Sequence, residues 1–127
     1  MDIMIIVYAV LAYFIGSIPS GLIIGKTFFN TDVRQYGSKN IGAPNTYRVI
    51  GLKAALPVFL CDALKGAAGV VLLSSYGPMY MILGGILAMM GHNWSIFLGF
   101  KGGRGVATGL GVLIALSPLV ALICFLV

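Results

Sequence analysis

The sequence predicts an all-α, polytopic membrane protein with four transmembrane helices, and three observations carry that prediction. Of the 127 residues, 60% are hydrophobic and only 9% are charged. A soluble domain carries about 25% charged residues, so part of this surface faces lipid. Uncharged runs at residues 3–25, 77–100 (one histidine aside) and 105–127 are each long enough to cross about 30 Å of hydrocarbon as a helix. The basic residues cluster in the short connections between these runs, where the positive-inside rule accounts for the net charge of +5 without nucleic acid.

The first run begins after Asp2 with no lysine or arginine, and further spans follow, so it is expected to be a span and not a signal peptide. Near its end GSIPSG, residues 16–21, places Pro19 between two serines. Proline frees a carbonyl, and small residues favour close packing, so a kink or a break lining a polar cavity is expected there. Gly21/Gly25 and Gly105/Gly109 have the small-xxx-small spacing of close helix contacts.

The connection at residues 26–53 holds Lys26, Arg34, Lys39, Arg48 and Lys53 against the single acid Asp32. That bias places it in the cytoplasm and the amino terminus outside. The second span, residues 54–73, contains Asp62 and Lys65. Three residues apart on a helix, they share a face and are tolerable in a membrane as a pair. The pair is either a structural ion bridge or part of an anion site. An uncharged turn at residues 74–77 returns the chain, and the third span brings FKGGRG to the same side as the first connection. Residues 1–127 thus form a single membrane domain, and an ending at ICFLV without a polar tail suggests a chain cut short. Cys61 and Cys124 both lie in apolar sequence without metal-ligand spacing and read as small hydrophobes.

Two basic stretches can hold phosphate. GSKNIGAPNTYR, residues 37–48, crowds Ser38, Lys39, Asn40, Asn45 and Arg48 beside Gly37 and Gly42. Its hydroxyl, amide and guanidinium donors suit phosphate oxygens, although an ordinary loop anchored at anionic headgroups would also be basic. In FKGGRGVAT, Gly102, Gly103 and Gly105 leave backbone N–H groups uncovered, Lys101 and Arg104 supply charge, and a helix start follows. Such a segment wraps anions, and it is neither a P-loop nor a dinucleotide fingerprint. His92 has a suitable range for a catalytic base, yet it also fits a structural or substrate-orienting hydrogen bond. The sequon Asn93-Trp94-Ser95 falls on the wrong face to be glycosylated, and Trp94 suits an interfacial anchor.

Together GSIPSG, GSKNIGAPNTYR, DALKG and GHNWSIFLGFKGGRGVATGLG resemble, in order, the bacterial glycerol-3-phosphate acyltransferases that use acyl phosphate. The resemblance implies a longer, inner-membrane enzyme of about seven helices, with a third cytoplasmic motif beyond this chain. It implies transfer of a fatty acyl group from acyl phosphate to the 1-hydroxyl of glycerol 3-phosphate, giving lysophosphatidate and phosphate. It carries Ser38 and Arg48 over as catalytic, and the residue reading adds His92 as a catalytic candidate. Asn40, Asn45, Lys101, Gly102, Gly103, Arg104 and Gly105 are carried over as substrate or phosphate contacts, and Lys39 and Lys65 join them as candidates on the residues alone. Three positions depart from the family pattern: Lys39 stands for a usual glycine, Pro44 for a usual threonine, and Ser95 where proline is frequent. Acyl phosphate is an activated anhydride, so no cofactor or metal is expected. The partners implied are the two substrates and membrane lipid, without nucleic acid, around a monomer. A transporter or channel for phosphorylated solutes would use similar cationic loops and broken helices, and a subunit that only binds headgroups is the third class.

Overall fold

The computed structural model describes residues 2–126, and every regular element among them is helical. Helix α1 (Ile3–Ser17) is capped by the Asp2 carboxylate, which accepts from the Met4 N–H at 3.0 Å. It ends before Pro19, and α2 (Ser20–Phe29) continues at an angle of 43°. The run expected as one span is therefore a broken one. The break keeps its carbonyls satisfied from neighbouring helices: Ser95 Oγ donates to Ser17 O at 2.5 Å and Lys65 Nζ to Ile18 O at 2.8 Å. That is how an interrupted helix survives where water is scarce.

The basic connection is more ordered than its composition suggests. It holds a single 3-10 turn at Val33–Gln35 and a short helix α3 (Ala43–Val49) that the sequence reading did not anticipate. Pro44 lies in the first turn of α3, where a missing N–H costs nothing. Helices α4 (Leu52–Leu72) and α5 (Pro78–Asn93) follow, joined by a turn at Ser74–Tyr76. The segments Leu52–Tyr76 and Pro78–Leu98 are long and apolar enough to cross a membrane, and the bent α1–α2 pair makes a third such candidate. The last apolar run is divided at Ser117 into α6 (Val106–Leu116) and α7 (Pro118–Leu126), since Pro118 cannot donate into the preceding turn.

Helices α1, α5, α4 and α6 pack through small residues. A Cβ on Gly16 would strike the Ala88 carbonyl, one on Gly84 the Gly69 carbonyl, and one on Gly66 the Thr108 carbonyl. The close helix-to-helix approaches therefore fall at other glycines than those the spacing singled out. Gly21 abuts the Ile41 carbonyl in the basic connection, and Gly109 faces the Met89 side chain. Outward positions such as Leu60, Leu64 and Val71 are large, apolar and exposed, as lipid-facing residues are.

Candidate active site

One cavity of about 440 Å³ opens where the basic connection, the face of α4, the end of α5 and the start of α6 meet. Its polar wall is Ser38, Asn40, Asn45, Arg48, Asp62, His92 and Arg104, and Gly105 closes it beside Val106 and Ala107. Its apolar wall includes Leu52, Ala55, Leu56 and Phe59. These recur at helical spacing and lead to Asp62 on the same face of α4. The sequence reading did not single them out, although that spacing was available to it.

Asn45 folds the first wall. Its Nδ2 donates toward Val33 O, Asn40 O and Tyr36 O at 3.0, 2.8 and 3.2 Å, and its Oδ1 accepts from the Ser38 N–H at 3.0 Å. The amide is 1% exposed, so its donors serve the loop and hold Ser38 in place. Asn40 Oδ1 closes an Asx turn onto the Gly42 N–H at 2.8 Å. Lys26 and Arg34 are engaged by Asp32, at 3.8 and 2.8 Å. The Arg34 guanidinium holds that carboxyl down to about 2. Arg48 has no such acid partner among the described residues and faces the cavity from α3.

The glycine-rich stretch builds the opposite wall. The Gly103 N–H donates to His92 O at 3.1 Å, and a Cβ on Gly103 would strike the His92 ring. Gly102 packs equally closely on the His92 and Asn93 carbonyls. These two glycines therefore let the stretch lie against the end of α5. Gly105, at φ 79°, is the residue before α6, and no side chain caps that helix. The first N–H groups of α6 and its positive dipole end thus lie at the cavity through Val106 and Ala107.

Beneath lie Asp62, Lys65 and His92, which are 1%, 6% and 3% exposed. Lys65 Nζ stands 2.9 Å from Asp62 Oδ1 and 3.0 Å from His92 Nδ1. Asp62 Oδ1 has no well-directed donor among the described residues, so its contact with Lys65 is ionic in character. The cavity gathers Ser38, Asn40, Asn45, Arg48, His92, Arg104 and Gly105 from the residues the sequence singled out. Lys39, Lys65, Lys101, Gly102 and Gly103 are not on its wall. Lys39 and Lys101 are exposed beside it in sequence, and Lys65 lies behind His92.

This fold is that of a known family. The family model described as glycerol-3-phosphate acyltransferase matches residues 6–127, and the chain belongs to that family. A glycerol-3-phosphate acyltransferase of Fusobacterium nucleatum is 48% identical over 118 residues, covering 91% of this chain and 61% of the relative. One from Lactiplantibacillus plantarum is 51% identical over 114 residues, covering 87% and 55%. The chain thus spans between half and two thirds of the length of these relatives. The crystal structure of PlsY (YgiH), an integral membrane glycerol 3-phosphate acyltransferase, in its glycerol 3-phosphate form superposes with a TM-score of 0.90 at 41% identity. That match covers 97% of this chain and 62% of PlsY. The lysophosphatidic acid form gives 0.87 at 40% identity.

Proposed function

We propose that the complete protein transfers a fatty acyl group from acyl phosphate to the 1-hydroxyl of glycerol 3-phosphate in a bacterial inner membrane, the first step of phospholipid synthesis. The observation that carries this reading is the single cavity in which Ser38, Arg48, His92 and Arg104, from separate stretches of the chain, meet an apolar wall of α4. Two anions and an acyl chain need that combination. Residues 1–127 act as part of one membrane domain, crossing four times, with the amino terminus outside and both basic stretches in the cytoplasm. The active form is a monomer in contact with lipid.

Arg104, Lys101 and the first N–H groups of α6 receive the glycerol 3-phosphate phosphate, and Gly102, Gly103 and Gly105 shape that wall. Ser38 and Arg48, with Asn40 and Lys39 at the rim, receive the acyl phosphate. The glycerol 1-oxygen attacks the acyl carbonyl carbon, the carbon–oxygen bond to phosphate breaks, and the leaving phosphate takes the hydroxyl proton. Because the donor is already an activated anhydride, positioning and charge neutralisation suffice, without metal or nucleotide.

The test is formation of lysophosphatidate and inorganic phosphate by the purified full-length protein from acyl phosphate and glycerol 3-phosphate. A folded protein that yields no product, yet carries phosphate esters across vesicles, would replace this reading with a transporter. The relatives give that alternative no support, since each is described as an acyltransferase.

A further inference from the structure

A lysine ammonium has three N–H donors and no acceptor. Lys65 directs its ammonium toward three neighbours: Ile18 O at 2.8 Å, Asp62 Oδ1 at 2.9 Å and His92 Nδ1 at 3.0 Å. A contact of that length from an ammonium requires a lone pair on Nδ1. The ring proton of neutral His92 then sits on Nε2, the nitrogen packed against Gly103, in a ring that lines the cavity. We propose that Lys65 is a positioning residue that fixes His92 as the Nε2–H tautomer, so that His92 acts on substrate as a hydrogen-bond donor and not as a general base. The ring's one basic nitrogen is covered by a cation, and the other nitrogen already bears its proton.

Asp62 explains why the lysine is needed. Its Oδ1 lies 3.7 Å from His92 Nδ1, on the same side of the ring as the ammonium. Without the ammonium, a buried carboxylate so close would draw a proton onto Nδ1, giving the opposite tautomer or the imidazolium. The contact with Ile18 O ties the same ammonium to the α1–α2 break, so the tautomer depends on helix packing as well as on charge. The catalytic part of this inference rests on the acyltransferase reading; the tautomer does not.

The experiment is nitrogen NMR of the full-length protein labelled with ¹⁵N-histidine, with the His92 signals assigned by their loss in His92→Gln. Wild type is expected to show an unprotonated Nδ1 and a protonated Nε2. Lys65→Met is expected to show Nδ1 protonated. If that variant does not insert, Asp62→Asn/Lys65→Met removes both charges together and is expected to lose the single enforced tautomer. A protonated Nδ1 in wild type, or an unchanged tautomer in the variant that folds, overturns the proposal. Turnover supplies the second readout. A glutamine amide can place an N–H near the Nε2 position, whereas asparagine reaches only Nδ1. His92→Gln is expected to lose no more than about tenfold in kcat, and His92→Asn about 10²-fold, whereas loss of a general base costs about 10²–10⁴-fold in either variant. Equal and severe losses in both would assign His92 as the base. A full-length protein that shows the expected tautomer but makes no lysophosphatidate would sink the acyltransferase reading alone.

Discussion

Arg48 and Lys39 are both exposed cations of one loop, and their surroundings assign them different work. Arg48 faces the cavity, where a planar fork can grip two phosphate oxygens and an ammonium cannot. Arg48→Lys is therefore expected to lose about tenfold or more in kcat/KM, the worth of one charge-assisted hydrogen bond, and Arg48→Ala more. Wild-type turnover in a correctly inserted Arg48→Lys would leave topology as the only task of that charge. Lys39 sits at φ 64°, a left-handed conformation that costs a residue with a side chain roughly 1–2 kcal/mol. The family resemblance expects glycine here, and the backbone supplies the reason. Glycine gives part of the gain back through its freer unfolded chain, so Lys39→Gly should stabilise the fold by about 0.5–1 kcal/mol. Thermal unfolding in detergent measures it, and any kinetic loss should fall on KM. Ser95 is the converse case. At φ −65° its backbone would accept the family's usual proline, yet its hydroxyl serves the Ser17 carbonyl at the helix break.

At the scale of elements, what was legible depended on whether local sequence or distant partners decide the structure. The apolar runs at residues 54–73 and 77–100 became α4 and α5 within a few residues, except that α5 ends at Asn93 and a 3-10 turn completes the run. Their hydropathy is a local property. Helix α3 was missed because Asn45, the residue that folds its loop, hydrogen-bonds to carbonyls up to twelve residues away, and no periodicity records that. The place of the glycine-rich stretch at the site was readable in its composition, and Arg104 and Gly105 line the cavity. The expenditure of the Gly103 N–H and of Lys65 on His92 was not, because the first depends on how the stretch folds back on α5 and the second on how α4 and α5 meet. That meeting can be tested at the neighbouring seam between α4 and α6. A Cβ on Gly66 would collide with the backbone at Thr108, which cannot move without moving α6. Gly66→Val is expected to destabilise by about 1–3 kcal/mol and to raise the glycerol 3-phosphate KM, because α6 carries Val106 and Ala107 away from the cavity. Leu64→Ala, on the exposed face of the same helix, should stay within about 0.5 kcal/mol. Equal melting temperatures for the two variants would mean that the α4–α6 seam does not carry the fold.

At the scale of the whole molecule, the cavity constrains how the chain sits in a bilayer. Arg48 and Arg104 are separated by the lengths of α4 and α5 and still line one cavity, so both basic stretches lie at the same end of the bundle. Helix α4, with 21 residues, rises about 32 Å, which matches one crossing of the hydrocarbon. In the proposed topology the turn at Ser74–Tyr76, at its far end, belongs to the opposite face, and that connection carries no charge. Five cations against one acid between Lys26 and Lys53 are the basis for the proposed polarity, with this connection in the cytoplasm. Single cysteines at positions 39 and 101, in the full-length protein with Cys61 and Cys124 replaced, are expected to resist an impermeant thiol reagent in intact cells and to react once the membrane is opened. A cysteine at Ser75 should react in intact cells. Labelling of 39 and 101 from opposite sides would separate two loops that the cavity joins and would refute the shared site itself. Labelling of both from outside would keep the cavity but invert the protein, putting the proposed phosphate-binding wall on the face away from a cytoplasmic supply of glycerol 3-phosphate.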